Sequence, residues 1–525
     1  MKSKPNTAIA FSGGGSRAYT GAIGCLAALH ELNLLKNIRY IGGISGGAWA
    51  TTTFTYVQNV SNDDVFLGKV ADPKHITVEN LKKMEPGCAR SLSAPEMTLI
   101  ALEAIKDKKV DSPAAAWSYA VSKTYLEPVG IKPNTRFSWD AATVKDIKSR
   151  NSALANAEFT VPVNKDRPFP VIGTTLVGPV AGAPFTAKTQ NYSLLEITPL
   201  YVGTMKNLDI KYKYKSIGLT HSRHVGGAIE PFAFARKGGG APAHGLAKKV
   251  TSGVLSVPEP ETFLDLQFSA GTSSYAPGSF FESIGIPKAA AELSMEFQYW
   301  SPDEEVKPDF TPMMFTDGGC YQDISLIQFM QRRVSKIVLF FLSSVPLKPF
   351  EDWDVNADPL KEGQVTDDLS AFFGALPDTE QRRWENRSFE LEKNQVFATS
   401  DYTKVITALQ TAQQAGKGII ATMNLTTVKN DWWGIPAGET FEITFSYLGR
   451  LPQWEAQLNK EMYKLAVPAE NAQDLSVDVS SGPFKNFPHF ITKGGGIDNS
   501  KANLLADLTG WAVLQHEKEF RRILS

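Results

Sequence analysis

Two places in this chain hold residues able to make and break acyl bonds: a serine in a glycine frame and an aspartate at a second glycine corner. Gly43-Ile44-Ser45-Gly46-Gly47 has the G-x-S-x-G spacing of a nucleophile elbow. In such an elbow the serine sits on a sharp strand-to-helix turn, and small neighbours are needed because a Cβ there strikes the adjoining backbone. Ser45 then stands at a helix N-terminus, where N–H groups and the positive dipole end favour a developing anion. An earlier corner, Gly13-Gly14-Gly15, offers the backbone donors that a lone serine lacks. Without Cβ atoms, Gly14 and Gly15 can approach a substrate carbonyl and form an oxyanion hole, with the amide of Gly46 as a further donor.

A hydroxyl nucleophile needs a base. The histidines are His30, His75, His221, His224, His244, His489 and His516, and none sits in a motif that marks it as catalytic. His30 falls in a helical stripe and reads as a surface or satisfied helix residue. His221 and His224 in "HSRH" lack an HExxH or carboxylate frame and read as a polar turn. The run "FTDGGCYQDISLIQF" instead places Asp317 at a glycine corner before a helix, a mirror of the serine corner. Asp323 competes, but its place just before Ile324 fits a helix N-cap. The pairing expected from the residues is Ser45 with Asp317, the carboxylate accepting the hydroxyl proton. A rival reading of residues 13–18 as a dinucleotide loop, G-x-G-x-x-A, requires an acid at the end of the second strand. Ile41, Gly42 and Gly43 stand there instead. No G-K-[ST] loop occurs anywhere in the chain.

The elements that must position these residues are legible on both sides of them. Ala8 to Phe11 predicts a buried strand, a helix follows from Arg17, Ile38 to Ile41 predicts a second strand, and Gly46 to Tyr56 a second helix. Strand, helix, strand, helix indicates a parallel sheet of the α/β class. From about Val60 to Pro308 the pattern loosens into pieces broken by proline and glycine. Within that stretch the uncharged Pro168 to Ala187 has the length of a membrane helix, but four prolines and three glycines make it a buried strand with adjoining loops. The strong pattern returns with a helix over Ile324 to Arg333 and a strand over Ile337 to Leu342. The tail carries a helix-like stretch from Leu451 to Leu465 and the loop "ITKGGGIDNSKAN", with no internal repeat and no clear linker.

Composition removes several function classes. The 525 residues carry a net charge of -1, so no bulk basic field points to nucleic acid or an anionic membrane. Cys25, Cys88 and Cys320 are far apart and lack CxxC spacing, which argues against a zinc site or disulfide framework and fits a reducing compartment. No metal or other cofactor is expected. The apolar stretch in "MKSKPNTAIAF" is too short for a signal h-region.

These residues resemble a family, the patatin-like acyl hydrolases, and within it the cytosolic phospholipase A2 and lysophospholipase branch. "SGGGSRA" (12–18), "GISGG" (43–47) and "DGG" (317–319) are similar to its oxyanion loop, nucleophile elbow and catalytic aspartate, in that order. "LEITPLYVGT" (195–204) and "GGAIEPFAF" (226–234) resemble segments of the branch's central region, while nothing after Leu342 can be matched. The resemblance implies a patatin-type three-layer α/β fold with a mostly parallel sheet and a large cap insertion, within one catalytic domain spanning residues 1–525. It implies a Ser45–Asp317 dyad that hydrolyses acyl esters of glycerophospholipids or lysophospholipids through an acyl-serine intermediate. Arg17 matches the arginine that steadies the substrate phosphate, a role suited to guanidinium geometry. The expected setting is cytoplasmic, with transient contact to a membrane or micelle surface, and no room upstream for a calcium-binding C2 module. The stretch from about 60 to 310 would be the cap, with Phe280, Phe281, Tyr299 and Trp300 as a lipid-facing lid. Three alternatives stay open: a Ser-Asp-His enzyme completed by His489, acyl transfer at the same site, and a non-catalytic lipid-binding protein.

Overall fold

In the computed structural model, which describes residues 4–525 apart from 61, 181–191, 214–217, 237–247, 251–253, 257–259, 261, 277–294, 300–310, 355–363, 376–390, 469–481 and 493–494, the apolar run Thr7–Phe11 forms strand β1, buried throughout. The chain turns at its glycines into helix α1, Gly15–Glu31, buried continuously from Ser16 to Leu29. A helix apolar on every side belongs inside the molecule. Strand β2, Tyr40–Gly43, then leads through Ile44 and Ser45 into helix α2, Gly46–Tyr56, also wholly buried. Pro113–Val121 forms helix α3. The uncharged segment after Pro168 runs as strand β3, Phe169–Pro179, with all eleven residues buried, as its composition predicts. Strands β4 (Ser193–Ile197), β5 (Val202–Lys213) and β6 (Thr220–Ile229) follow. Next come helix α4 (Leu266–Ser273) and strands β7 (Met295–Tyr299) and β8 (Thr311–Thr316). Helix α5 (Leu326–Gln331), strands β9 (Lys336–Phe341), β10 (Ile419–Thr426) and β11 (Thr440–Tyr447), and helices α6 (Asn499–Gln515) and α7 (Glu517–Ile523) complete the frame.

One sheet gathers eleven strands in the order β10-β11-β9-β1-β2-β3-β4-β5-β6, with β8 also on β3 and β7 on β8. Its centre, β11-β9-β1-β2-β3, is parallel throughout. Both flanks are antiparallel, so the sheet as a whole is mixed. Helices cover both faces. Phe11 stacks on Phe340, and Phe340 on Phe520 of α7. Gly42, whose register partner is Ala10 and which therefore faces the other way, lies against Phe329 of α5.

Several expectations differ from the fold. The 60–310 stretch is not wholly an insertion over the sheet, because β3 to β7 extend the sheet itself. Tyr299 is a core residue of β7, 4% exposed, with its hydroxyl donating to the Gly226 carbonyl at 3.3 Å, and so is no part of a lid. Phe280, Phe281 and Trp300 lie outside the described residues. The helix expected over 324–333 covers only Leu326–Gln331, since Arg333 takes a left-handed φ of 52° that ends it. The stretch 451–465 breaks into Pro452–Glu455 and Lys460–Ala466, where Asn459 caps the second piece by accepting from the Glu461 and Met462 amides. "HSRH" lies in strand β6 rather than a turn. None of Cys25, Cys88 and Cys320 is joined in a disulfide. Among the described residues no helix is long and apolar enough to cross a membrane.

Candidate active site

Ser45 has φ 51° and ψ −120°, a conformation that an L-residue keeps only when its surroundings enforce it. Three glycines allow it. A Cβ on Gly43 would lie 2.3 Å from the Gly47 carbonyl oxygen, one on Gly46 would lie 2.1 Å from that of Gly15, and one on Gly47 would lie 2.4 Å from that of Phe11. The serine turn and the first glycine loop are thus packed backbone on backbone. The Ser45 N–H donates to Ser273 Oγ at 3.0 Å, and that hydroxyl donates onward to the Gly173 carbonyl at 2.6 Å. Ser45 is 8% exposed.

The aspartate corner reaches the same place by a different strand. Strand β4 pairs with β3 at both Ile172 and Thr175, so it occupies one edge of β3. Strand β2, ending with Gly43 beside Ile172, and strand β8, ending with Thr316 beside Thr175, must therefore share the other edge. They approach along it from opposite ends and stop three residues of β3 apart, about 10 Å at the strand rise. Ser45 and Asp317 follow these strand ends. A Cβ on Gly318 would lie 2.8 Å from Ile44 Cγ2 and 2.7 Å from the Gly173 oxygen, so the residues adjoining Ser45 and Asp317 touch. Thr174 and Thr175 tie the corner down through hydroxyl donation to the Thr316 and Gly318 carbonyls, at 2.8 and 3.2 Å. Asp317 Oδ1 accepts from the Gly319 N–H at 2.8 Å, and the Asp317 N–H donates to the Tyr275 carbonyl at 2.8 Å. The short stretch Ser273 to Tyr275 at the end of α4 therefore holds both corners.

Gly14, with φ 129°, and Gly15, with φ 58°, form the first loop, where only glycine is at ease. The N–H groups of Gly14, Gly15 and Gly46 have no hydrogen-bond partner among the described residues. Arg17 is not solvated. It is 5% exposed, donating Nε to the Leu342 carbonyl at 2.9 Å and Nη1 to that of Phe490 at 2.6 Å, while Nη2 lies beside Gly14. Burial pulls its guanidinium down to about 10, opposed by the charge of Asp323. A strap near the C-terminus braces the loop: Thr492 Oγ1 donates to the Gly14 carbonyl at 2.8 Å, and Ser16 Oγ to the Gly495 carbonyl at 3.3 Å.

Asp323 is no N-cap, because α5 begins three residues later with Ser325 at that position. Its carboxylate lies where a Cβ on Gly13 would meet it at 2.2 Å and one on Gly319 at 2.6 Å, between the first loop and the aspartate corner. Its carbonyl accepts from the Gly13 N–H at 3.1 Å. His489 sits behind the loop with Nδ1 3.0 Å from the Ser343 carbonyl and Nε2 buried without a partner among the described residues. Burial holds its ring neutral down to about pH 4. His30 meets Asp64 at 2.9 Å and His224 meets Asp209 at 3.0 Å. Ser273 and Thr492 escaped the sequence reading because each acts on a residue more than two hundred positions away, which leaves no local pattern.

Residues 7–212 match the family model described as the lysophospholipase catalytic domain. A stretch of 49 residues is 47% identical to cytosolic phospholipase A2 zeta of Mus musculus and 45% identical to that of Homo sapiens, covering 9% of this chain and 6% of each relative. Another match, 42% identical over 55 residues, is to cytosolic phospholipase A2 gamma of Mus musculus, covering 10% of this chain and 9% of that one. These matches thus span less than a tenth of the curated relatives' length. Among solved structures, human GIVD cytosolic phospholipase A2 aligns with 99% of this chain and 60% of its own, with a TM-score of 0.45 and 14% identity. The same protein in complex with methyl gamma-linolenyl fluorophosphonate aligns with a TM-score of 0.42 and 14% identity.

Proposed function

We propose, from the match of residues 7–212 to the lysophospholipase catalytic-domain family, that the chain hydrolyses fatty-acyl esters of phospholipids or lysophospholipids with Ser45 as nucleophile and Asp317 as base. Asp317 takes the hydroxyl proton as Ser45 Oγ attacks the ester carbonyl. The amides of Gly14, Gly15 and Gly46 receive the oxyanion, each contributing roughly 3 kcal/mol of transition-state stabilisation. Collapse of the tetrahedral intermediate breaks the bond to the leaving alkoxide, which takes the proton back from Asp317, and leaves an acyl-serine. Water, deprotonated by the same carboxylate, then attacks the acyl carbon. That second collapse releases the fatty acid and restores Ser45.

What supports this reading most is the meeting of the serine and aspartate corners on one edge of β3, with the glycine loop packed against the serine turn. Arg17 anchors that loop through two carbonyls, and Nη2 is the part of the guanidinium left toward Gly14, where a substrate phosphate would be held. A lipid surface as the source of substrate fits the exposed Leu99, Leu102 and Ile491, the last beside Thr492 on the strap. A histidine-based triad is disfavoured because Nε2 of His489 reaches no hydroxyl. The test is mass spectrometry of mixed phospholipids and lysophospholipids incubated with the wild-type chain and with Ser45→Ala. Fatty acid release by the first and none by the second is expected, and equal release by both would contradict the proposal.

A further inference from the structure

We infer that Thr492, on the C-terminal strap, is a positioning residue that aims the Gly15 N–H into the oxyanion site; this rests on the hydrolase reading above. The peptide unit between Gly14 and Gly15 links the strap to that N–H. Because that unit is planar and trans, its C=O and N–H point in opposite directions, and fixing one aims the other. The Gly14 carbonyl accepts from two donors: the Ala18 N–H at 3.3 Å, which is the first bond of helix α1, and Thr492 Oγ1 at 2.8 Å. The hydroxyl bond is the shorter of the two. It holds the carbonyl on the strap side and so turns the Gly15 N–H away from the strap, in a loop whose Gly15 backbone packs directly against Gly46.

Glycine at both positions makes this constraint necessary. Gly14 at φ 129° and Gly15 at φ 58° occupy conformations from which a glycine peptide can rotate with little steric resistance. An oxyanion donor that rotates loses its function, since such donors act by being oriented before charge develops. Thr492 is well placed to prevent it. Its hydroxyl also accepts from the Arg17 N–H at 3.5 Å, so both sides of the oxygen are engaged by the loop. Its backbone oxygen would stand 2.8 Å from a Cβ on Gly15. Arg17 Nη1 on the Phe490 carbonyl and Ser16 Oγ on the Gly495 carbonyl fasten the strap on either side of it.

Two substitutions separate the hydroxyl from the methyl group. Thr492→Val keeps the shape and loses the hydrogen bond, whereas Thr492→Ser keeps the bond and loses the methyl. Steady-state hydrolysis of one lysophospholipid by wild type, Ser45→Ala and both variants should show kcat falling about tenfold or more in Thr492→Val, with KM within about twofold, as expected when only transition-state contacts are misaligned. Thr492→Ser should recover most of the rate. Undiminished kcat in Thr492→Val, or equal loss in both variants, would overturn the role of Thr492. Hydrolysis by wild type that persists in Ser45→Ala, or no hydrolysis by wild type, would overturn the hydrolase reading itself.

Discussion

At residue scale the site is a set of backbone requirements with the Ser45 hydroxyl and the Asp317 carboxylate placed among them. Ser45 is held at positive φ by contacts that exclude any Cβ at Gly43, Gly46 and Gly47. Its own N–H is occupied by Ser273, which under the proposed mechanism leaves the oxyanion to the amides of Gly14, Gly15 and Gly46. Among the described residues His489 is the one histidine close to this machinery, and its surroundings make it a packing group: a buried ring held by Ser343 and kept neutral. His489→Gln should therefore keep fatty acid release within a few-fold of wild type in a single-substrate assay. A loss of activity of about a thousandfold, as a triad histidine would give, would contradict this.

At element scale the most demanding contact is the crossing of α1 and α6. A Cβ on Gly24 would lie 2.2 Å from the Ala506 carbonyl oxygen and 2.3 Å from Thr509 Oγ1, and one on Gly510 would lie 2.9 Å from the Gly24 oxygen. Helix α1 carries the first glycine loop at its start, so this crossing sets the height of the loop over the sheet. Gly24→Ala should cost about 1–3 kcal/mol of stability by overpacking, read as a lower urea midpoint; an unchanged midpoint would contradict the packing. The elements around the serine were legible because their signals are local: an apolar run, a glycine corner, then helical spacing from Arg17 to Leu32. Ser45 and Asp317 stood out for the same reason. The sharing of one edge of β3 by β2 and β8 was not legible, since register is set by partners far along the chain. Nor was the true place of Asp323, which local propensity made a cap and tertiary packing put between two loops.

At the scale of the whole molecule, the site draws on segments near residues 12–17, 43–47, 273–275, 317–323 and 489–492, with Gly495, and exists only when the chain has closed on itself. Sheet order tells the same story, with β1 between β9 and β2, and α6 from the C-terminal region on α1 from the N-terminal one. We read the chain as one catalytic unit on this ground. Stability of that unit should depend on pH through His489. Its ring titrates near 6.5 when free and at about 4 in the fold, so the unfolded chain alone takes up a proton between those values. The His489 contribution is therefore complete above pH 6.5 and is lost as pH falls toward 4, by on the order of 3 kcal/mol. Denaturant unfolding across that range should show a shallower decline in His489→Gln than in wild type, and parallel declines would contradict the assignment.

In the proposed mechanism Ser45 is made nucleophilic by Asp317. Labelling with a lipid fluorophosphonate, followed by peptide mapping, tests it most directly. One adduct is expected, on Ser45, formed rapidly by wild type and at least a hundredfold more slowly by Asp317→Asn. An adduct on another residue, or labelling of Ser45 at the wild-type rate in Asp317→Asn, would contradict it.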